Sequence, residues 1–171
     1  MDACLTPDVS RWDTVQLATF LMQAEREGVA TYSRPLGSFL HSDCERDLFA
    51  HVALVLARRP FEALPETSPD GYSNIDLLMD GQLWEVKSPN GDSLRGVETA
   101  VRKAQRHFRK CTRPEQPARL IFNARYHSLD DSALLPELRR RLEQHGLSDS
   151  LFVTKKGRVL PVANEKTRRS S

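Results

Sequence analysis

Three side chains suited to hydrolytic chemistry lie close together in one stretch of the chain: Asp76, Glu85 and Lys87. Two carboxylates supply the oxygen ligands that Mg²⁺ and other hard cations prefer, and the main-chain carbonyl of Val86 offers a further one. A lysine beside them can orient a water molecule, stabilise the charge that builds on a phosphoryl group or, if its pKa falls, act as a base. If the fold brings these groups together, their chemistry is that of metal-assisted phosphodiester hydrolysis.

A tight turn at Asp80-Gly81 is predicted to bring the two carboxylates together. It divides two strand-like runs, Asn74–Met79 and Gln82–Lys87. Asp-Gly between such runs is a strong hairpin signal, because both central residues of the turn need a positive φ. The turn also fixes the register, which places Asp76 opposite Glu85 with their Cβ atoms about 4.5–5.5 Å apart.

The two faces of the predicted hairpin differ in polarity. Side-chain alternation puts Lys87 on the same face as Asp76 and Glu85. The other face is apolar and consists of Ile75, Leu77, Met79, Trp84 and Val86. Like charges opposite each other destabilise a strand pair, and local conflicts of this kind are found most often at functional sites. The alternative interpretation is a surface hairpin with a solvated polar face, in which Lys87 neutralises Glu85.

A helix that precedes the hairpin offers another carboxylate. It is predicted to begin after a cap at Ser42 or Asp43 and to run to about Arg58. Its apolar stripe consists of Leu48, Phe49, Val52, Val55 and Leu56. Glu45 falls on this stripe, which Asp47 fits less well, so Glu45 is expected to project towards the core and to reach the hairpin carboxylates. The alternative is that Glu45 only stabilises the first helical turn.

A strongly basic helix is predicted after the hairpin, from a cap at Asp92 or Ser93 to about Lys110. Residues 95–113 carry seven basic side chains against the single Glu98, a local net charge of +6 in a chain whose formal net charge is +2. A basic stripe on a mildly acidic body is typical of proteins that bind polyanions. The candidates for contact with nucleic acid are Arg102, Lys103, Arg106, Arg109 and Lys110, together with Arg125 on the next predicted strand. His107 and His127 are further candidates for phosphate contact or proton transfer.

The remaining pattern alternates strands and helices. The other predicted elements are a helix over 11–27, with Trp12, Val15, Thr19 and Met22 on one face, a connector over 31–39, strands over 61–64, 119–126, 150–154 and 158–162, and a helix over 130–145. This order predicts an α/β (α+β) fold with a mixed β-sheet flanked by helices. The predicted division is an N-terminal helical segment and connector over 1–40, a catalytic domain over 41–162 and a basic flexible tail over 163–171.

Composition excludes several other classes of protein. No apolar run approaches the ~20 residues that span a bilayer, and the N-terminus lacks the pattern of a signal peptide. Cys4, Cys44 and Cys111 are too far apart for a CxxC pair, which argues against a disulfide framework or a zinc site and favours a reducing compartment. There is no GxSxG, Walker A or HExxH motif, so acyl transfer, nucleotide-driven work and zinc proteolysis have no support.

The arrangement of these motifs resembles the PD-(D/E)XK nuclease superfamily. Asp76 is followed by Glu85-Val86-Lys87, with the helix that carries Glu45 before them and the basic helix after them. The stretch DGQLWEVKSPNG, residues 80–91, is similar to the tRNA-nuclease toxin domains at the C-termini of bacterial contact-dependent growth inhibition proteins. The resemblance covers roughly residues 41–162, and it departs from the superfamily's name motif in having Ile75 before the aspartate.

This resemblance implies a restriction-endonuclease-like fold and a set of roles. Asp76 and Glu85 would bind Mg²⁺ or Mn²⁺, Lys87 would be catalytic, and Glu45 is carried over as the helix carboxylate of the same site. Proteins of the toxin family are delivered into neighbouring bacteria as part of larger proteins, cleave tRNA in the cytosol and are held inactive by a cognate immunity protein. Two alternatives remain open: a DNA endonuclease of the same fold from a mobile element or defence system, and a catalytically silent nucleic-acid-binding domain.

Overall fold

A seven-stranded mixed sheet forms the centre of the protein, with its strands in the order in which they occur in the chain. A computed structural model describes residues 7–40, 42, 44–67, 75–111 and 116–164. The helices are α1 (Thr14–Arg26), a short 3-10 helix (Leu36–Phe39), α2 (Asp47–Leu56), α3 (Arg95–Cys111) and α4 (Asp131–His145). The strands are β1 (Ala30–Tyr32), β2 (Phe61–Ala63), β3 (Leu77–Met79), β4 (Gln82–Lys87), β5 (Leu120–Asn123), β6 (Asp149–Val153) and β7 (Val159–Ala163). The predicted mixed α/β class is confirmed.

The sheet contains both parallel and antiparallel strand pairs. The β1–β2, β4–β5 and β5–β6 pairs are parallel, whereas β2–β3, β3–β4 and β6–β7 are antiparallel. The central strand β5 is buried along its whole length, as its apolar sequence predicts. Because β4, β5 and β6 run the same way, their carboxyl ends meet at one edge of the sheet, where a ligand crevice commonly forms in α/β proteins.

The β3–β4 hairpin has the predicted register. Met79 pairs with Gln82, Leu78 with Leu83 and Leu77 with Trp84. Asp80 and Gly81 have φ values of 53° and 70°, as a two-residue turn of this kind requires. The predicted apolar face is buried in full: Ile75, Leu77, Met79, Trp84 and Val86 are at most 6% exposed. The predicted first residue of the hairpin, Asn74, lies outside the described residues.

The helices cover both faces of the sheet. Leu17 and Leu21 of α1 and Phe49 of α2 belong to one apolar cluster with the inward residues of β3 and β4. The inward stripe of α3 packs with α4 in a second cluster, against Leu120 and Phe122 of β5. That stripe consists of Val97, Ala100, Val101, Ala104 and Phe108, all buried. None of the helices in the described ranges is long and apolar enough to span a bilayer.

The first forty residues, as far as they are described, are integrated into this core. α1 begins with a capping box, in which the Asp13 side chain accepts from the backbone of Gln16 and the Gln16 side chain accepts from the backbone of Asp13. The segment predicted as a connector contains β1, which adds a parallel strand to β2. The sequence does not decide whether the N-terminal segment packs on the core, and the structure shows that its described part does.

The ends of some predicted elements differ from those observed. α2 begins at Asp47 rather than next to Ser42, after a turn over residues 44–46, and its N-cap Arg46 makes no side-chain capping bond. Of the other predicted features, Cys4, Asp43, Arg113 and most of the predicted tail, residues 165–171, lie outside the described residues.

Candidate active site

Asp76 lies just before β3 and is attached directly to β4. Its Oδ2 accepts a hydrogen bond of 2.7 Å from the backbone N–H of Val86. In a longer antiparallel ladder this N–H would bond to the carbonyl of Ile75. The paired ladder instead stops at Leu77, and the carboxylate takes the place of a carbonyl. This contact holds Asp76 against the strand that carries Glu85 and Lys87.

Glu85 is a buried carboxylate held by two basic side chains. It is 1% exposed on β4, and its Oε1 accepts from the ammonium of Lys87. Its Oε2 lies 2.8 Å from Nδ1 of His107 on α3. A buried carboxylate needs such partners, because desolvating a lone charge is unfavourable by several kcal/mol. Both oxygens of Glu85 are therefore in use, and any further ligand must share or replace one of these contacts.

The charges around the hairpin keep Lys87 in its protonated form. Burial alone would lower the pKa of Lys87, but the negative charges of Glu85 and Asp76 outweigh it and raise the pKa above its usual value. His107 is affected similarly, since its hydrogen bond to Glu85 raises its pKa against the effect of burial. An ammonium at this position stabilises negative charge or orients a water molecule, and a role for Lys87 as a base has no support from these charges.

Of the two acids near the start of α2, Asp47 lies beside the hairpin, whereas Glu45 contacts α1. Glu45 lies in the turn before α2, and its Oε1 accepts a hydrogen bond of 2.7 Å from the Thr14 hydroxyl on α1. The expected projection of Glu45 towards the hairpin is therefore corrected, because helical spacing does not apply before the helix begins. Asp47, the first residue of α2, lies beside the hairpin, and its Oδ1 accepts a hydrogen bond of 2.7 Å from Ser88.

Asp47, Asp76 and Glu85 act on one another electrostatically. The pKa of Asp76 is raised to about 7, mainly by burial and next by the charge of Glu85; Asp47 acts in the same direction, and Lys87 opposes them. The pKa of Asp47 is likewise raised to about 6, mainly by burial; the Ser88 hydroxyl and Lys87 act to lower it, and Glu85 acts to raise it. Burial is thus the main cause of the raised pKa at both residues, and Lys87 favours the ionised form of each.

Two cavities meet at Lys87. The larger, about 530 Å³, runs from Asp47, Asp76 and Val86 along the 88–91 loop to the first half of α3. The smaller, about 290 Å³, lies between Glu85 and the second half of α3. Both are also lined by Lys103, so this predicted phosphate-binding residue stands between them.

The basic face of α3 is exposed beside the smaller cavity. The residues of this face, Arg102, Lys103, Arg106, Arg109 and Lys110, are exposed and make no ion pair with any other described residue. Arg102, Lys103, Arg106 and Arg109 also line a groove of about 570 Å³ on the outer side of the helix. A row of cations without acidic partners among the described residues fits the expectation that α3 meets a polyanion.

Arg125 and His127, the other two basic candidates, are held by contacts within the fold. The guanidinium of Arg125 lies over the rings of Phe49 and Tyr126, 5.3 Å and 5.9 Å from their centroids. His127 is 1% exposed, and its Nδ1 accepts from the backbone N–H of Leu129, so Nε2 carries the proton and donates to the carbonyl of Ser93. His127 thus ties the 91–96 segment to the loop after β5 and has no free ring nitrogen for phosphate contact.

The donor set at the site fits a hard divalent cation. Three carboxylates and the carbonyl of Val86 are oxygen donors of the kind that Mg²⁺ and Mn²⁺ bind. Burial is the main cause of the raised pKa values of Asp47 and Asp76, and a bound cation would favour the ionised form of both carboxyls. Within the described ranges, however, no three His, Cys, Asp or Glu side chains already form a cluster arranged to hold a metal ion.

One solved structure shares this architecture. It is a chain of the CdiA-CT/CdiI toxin and immunity complex from Burkholderia pseudomallei, with a TM-score of 0.54 and 16% sequence identity. The match covers 77% of the present chain and 89% of the other. At this identity the likeness concerns the fold. No protein-family model matches the sequence, and a search of curated proteins gave no match.

Proposed function

We propose that this protein is a metal-dependent endonuclease that cleaves RNA and acts as a bacterial toxin, with tRNA as its substrate. The observation that carries the proposal is the convergence of Asp76, Glu85 and Lys87 on Asp47 of α2 and His107 of α3, at one edge of the sheet. Phosphodiester hydrolysis requires charge stabilisation beside an anionic group, and this site combines carboxylates, a protonated lysine and a basic helix.

Each residue has a distinct part in this chemistry. A divalent cation held by the Asp47, Asp76 and Glu85 carboxylates and the Val86 carbonyl would polarise a phosphoryl oxygen and increase the acidity of a water molecule. The ammonium of Lys87 stabilises the charge that develops on the phosphoryl group. His107 holds Glu85 against β4, and the Val86 N–H holds Asp76.

The exposed face of α3 supplies the binding energy for nucleic acid. Phosphate contacts from Arg and Lys position the substrate and release counterions, so binding weakens steeply with salt. Replacing Arg102 and Arg106 by Gln is expected to weaken binding and to reduce the slope of log K against log salt by about two. The measurement is a fluorescence-anisotropy titration of labelled tRNA at several salt concentrations, with Arg139→Gln and Arg140→Gln on α4 as the matched control. An unchanged slope in the α3 variant would remove the helix from the binding surface.

The toxin assignment draws on the shared fold with a chain of the CdiA-CT/CdiI complex, together with the resemblance of residues 80–91 to growth-inhibition toxins. Under this proposal the protein acts in the cytoplasm of a target cell, arrives there as part of a larger protein, and is inhibited by a dedicated immunity protein. An inhibitor of this kind would need acidic side chains to approach the exposed cations of α3.

The deciding experiment incubates the pure protein with total tRNA and with plasmid DNA, each with Mg²⁺ and with excess EDTA. We expect tRNA fragments of defined length with Mg²⁺, none with EDTA, and recovery of cleavage when Mn²⁺ is added. The Glu85→Gln protein, checked by circular dichroism for an intact fold, is the negative control. Cleavage of plasmid alone would replace the RNA assignment by a DNA endonuclease of the same fold, and full activity in EDTA would end the metal-dependent reading.

A further inference from the structure

A buried amide at the end of β5 connects the strands of the sheet with the start of α2. Asn123 is 0% exposed and is the last residue of β5. Its Nδ2 donates two hydrogen bonds, one of 3.0 Å to the Ser88 hydroxyl and one of 3.1 Å to the carbonyl of Arg46. Its Oδ1 accepts from the backbone N–H of Arg125 at 3.2 Å. All the polar atoms of this side chain are thus engaged, as burial requires.

These partners fix which way the amide faces. Rotating the group by 180° would place Oδ1 against the carbonyl of Arg46, where two acceptors would face each other, and would turn Nδ2 towards the N–H of Arg125. Only one orientation satisfies every contact, so Nδ2 is the donor to Ser88. The Oγ atom of Ser88 therefore acts as an acceptor towards Asn123.

The orientation of Asn123 determines what the serine can do. A hydroxyl has a single proton, and since Ser88 accepts from Asn123, that proton is free to be donated elsewhere. It is directed at Oδ1 of Asp47, 2.7 Å away, a length typical of a hydroxyl donating to a carboxylate. The series Asn123, Ser88, Asp47 thus has one consistent direction of donation.

The same amide also fixes the backbone that carries Asp47. Arg46 is the N-cap of α2 and makes no side-chain capping bond. Its carbonyl accepts a hydrogen bond from Asn123, and this bond ties the helix start to β5. On the other side, Lys87 pairs with Phe122 in the β4–β5 ladder, which brings Ser88 next to Asn123. Asn123 therefore sets the distance between the helix that provides Asp47 and the strand that provides Lys87.

We propose that Asn123 and Ser88 are positioning residues, which hold the Asp47 carboxylate towards the site and thereby set the affinity of the protein for a divalent cation. The inference rests on the proposed function, in which Asp47 is one of the cation's ligands. Replacing a residue that hydrogen-bonds to a metal ligand and orients it typically changes metal affinity or activity by about 10- to 100-fold.

The test measures Mn²⁺ binding to the full protein without nucleic acid, by calorimetry and by loss of the free-Mn²⁺ electron paramagnetic resonance signal. Ser88→Ala is expected to weaken binding by about 10-fold or more, and Ser88→Thr, which keeps the hydroxyl, to restore it to within about 3-fold of the unmodified protein. The matched control is Ser150→Ala on β6, because the Ser150 hydroxyl is also buried and donates to a backbone carbonyl, that of Leu120, two strands from Glu85 and without a bond to Asp47.

The control separates positioning from a general effect on stability. Ser150→Ala is expected to lower the midpoint of urea unfolding while leaving Mn²⁺ affinity unchanged, since it removes a buried hydrogen bond elsewhere. If Ser88→Ala and Ser150→Ala weaken Mn²⁺ binding equally, or if Ser88→Ala binds as tightly as the unmodified protein, the positioning role is overturned.

A third variant separates failure of this inference from failure of the proposed function. Asp47→Asn is expected to weaken Mn²⁺ binding at least as much as Ser88→Ala does. Weak binding in Asp47→Asn with normal binding in Ser88→Ala would overturn the Asn123–Ser88 relay and leave the metal site standing. An unmodified protein that binds no Mn²⁺ would overturn the metal-dependent function and the relay with it.

Discussion

The β3–β4 hairpin and the segment from α1 to the start of α2 both border the candidate site, but they are specified in different ways. The hairpin is local: a two-residue turn fixes the register, and the register places Glu85 and Lys87 on one face. The α1–α2 segment is specified by contacts distant in the chain, such as the Thr14–Glu45 bond and the Ser88–Asp47 bond. Residues supplied by a hairpin can thus be identified from sequence, whereas a helix start must be located by its tertiary partners.

The largest effect is expected at the hairpin. Lys87→Ala removes the protonated amine that is proposed to stabilise the reacting phosphoryl group, and losing one charge-stabilising donor typically reduces the rate by about 10²- to 10³-fold. We expect kcat for tRNA cleavage to fall by this amount while circular dichroism shows that the fold is retained, and we expect a lower urea midpoint because Glu85 loses one of its two buried partners. Activity that persists in both Lys87→Ala and Glu85→Gln would show that the catalytic site lies elsewhere.

The packing of the N-terminal segment can be tested by two replacements on α1. Leu21 is fully buried in the cluster shared with α2, whereas Val15 is 73% exposed. Leu21→Ala should lower the free energy of unfolding by about 2–5 kcal/mol because it leaves a cavity. Val15→Ala should change it by no more than about 0.5 kcal/mol. Urea titrations followed by tryptophan fluorescence measure both, and a small effect of Leu21→Ala would mean that α1 is not part of the common core.

The two acids on either side of Arg46 provide the sharpest comparison between the regions. Asp47→Asn removes a carboxylate that lines the larger cavity, so we expect kcat/KM to fall by about 10- to 100-fold. Glu45→Gln keeps an acceptor for the Thr14 hydroxyl and should change kcat/KM by less than about 3-fold. A larger fall in kcat/KM for Glu45→Gln than for Asp47→Asn would support Glu45 as the metal ligand in place of Asp47.

The difference between Glu45 and Asp47 also shows how far sequence reasoning reaches. The hairpin register, the buried stripe of α3 and the central strand β5 follow from turn chemistry and hydrophobic periodicity, which act over a few residues. The start of α2 does not, because its N-cap is Arg46, a residue without a capping side chain, and no local signal places it there. Counting the stripe from a helix assumed to begin near residue 43 therefore selected Glu45, whereas the acid beside the hairpin is Asp47.

Two further features lacked a signal of their own in the sequence. The apolar positions of α1 gave Val15 and Met22 as one face, but the helix buries Leu17 and Leu21 because β1 and α2 pack on that side. His107 was a candidate for phosphate contact or proton transfer, but its contact with Glu85 was not predicted, since it depends on how α3 crosses β4. Both outcomes depend on the relative placement of whole elements, which periodicity within one element does not determine.

The smallest effect is expected from a buried histidine in the N-terminal part of the core, through the pH dependence of stability. His51 on α2 is 2% exposed, and its Nδ1 lies 2.9 Å from the Tyr32 hydroxyl among aromatic rings. Burial lowers the pKa of His51 to about 3, and the positive charge of Arg34 acts in the same direction. In the unfolded chain its pKa is about 6.5. The folded protein therefore keeps His51 neutral under conditions in which the unfolded chain binds a proton.

The sign of the effect follows from this difference. Above pH 6.5 both states are neutral and stability does not depend on His51; below it the unfolded state takes up the proton, so stability falls with decreasing pH until the folded pKa is reached. Between pH 7 and 5.5 this group should lower the free energy of unfolding by about 1 kcal/mol. Urea titrations at both pH values measure the loss of unfolding free energy between pH 7 and 5.5. This loss should be smaller by that amount in His51→Gln than in the unmodified protein, because glutamine does not titrate. Because the acidic residues titrate alike in both proteins, an equal drop would mean that His51 is protonated inside the fold, and that the cluster around α2 is open to water.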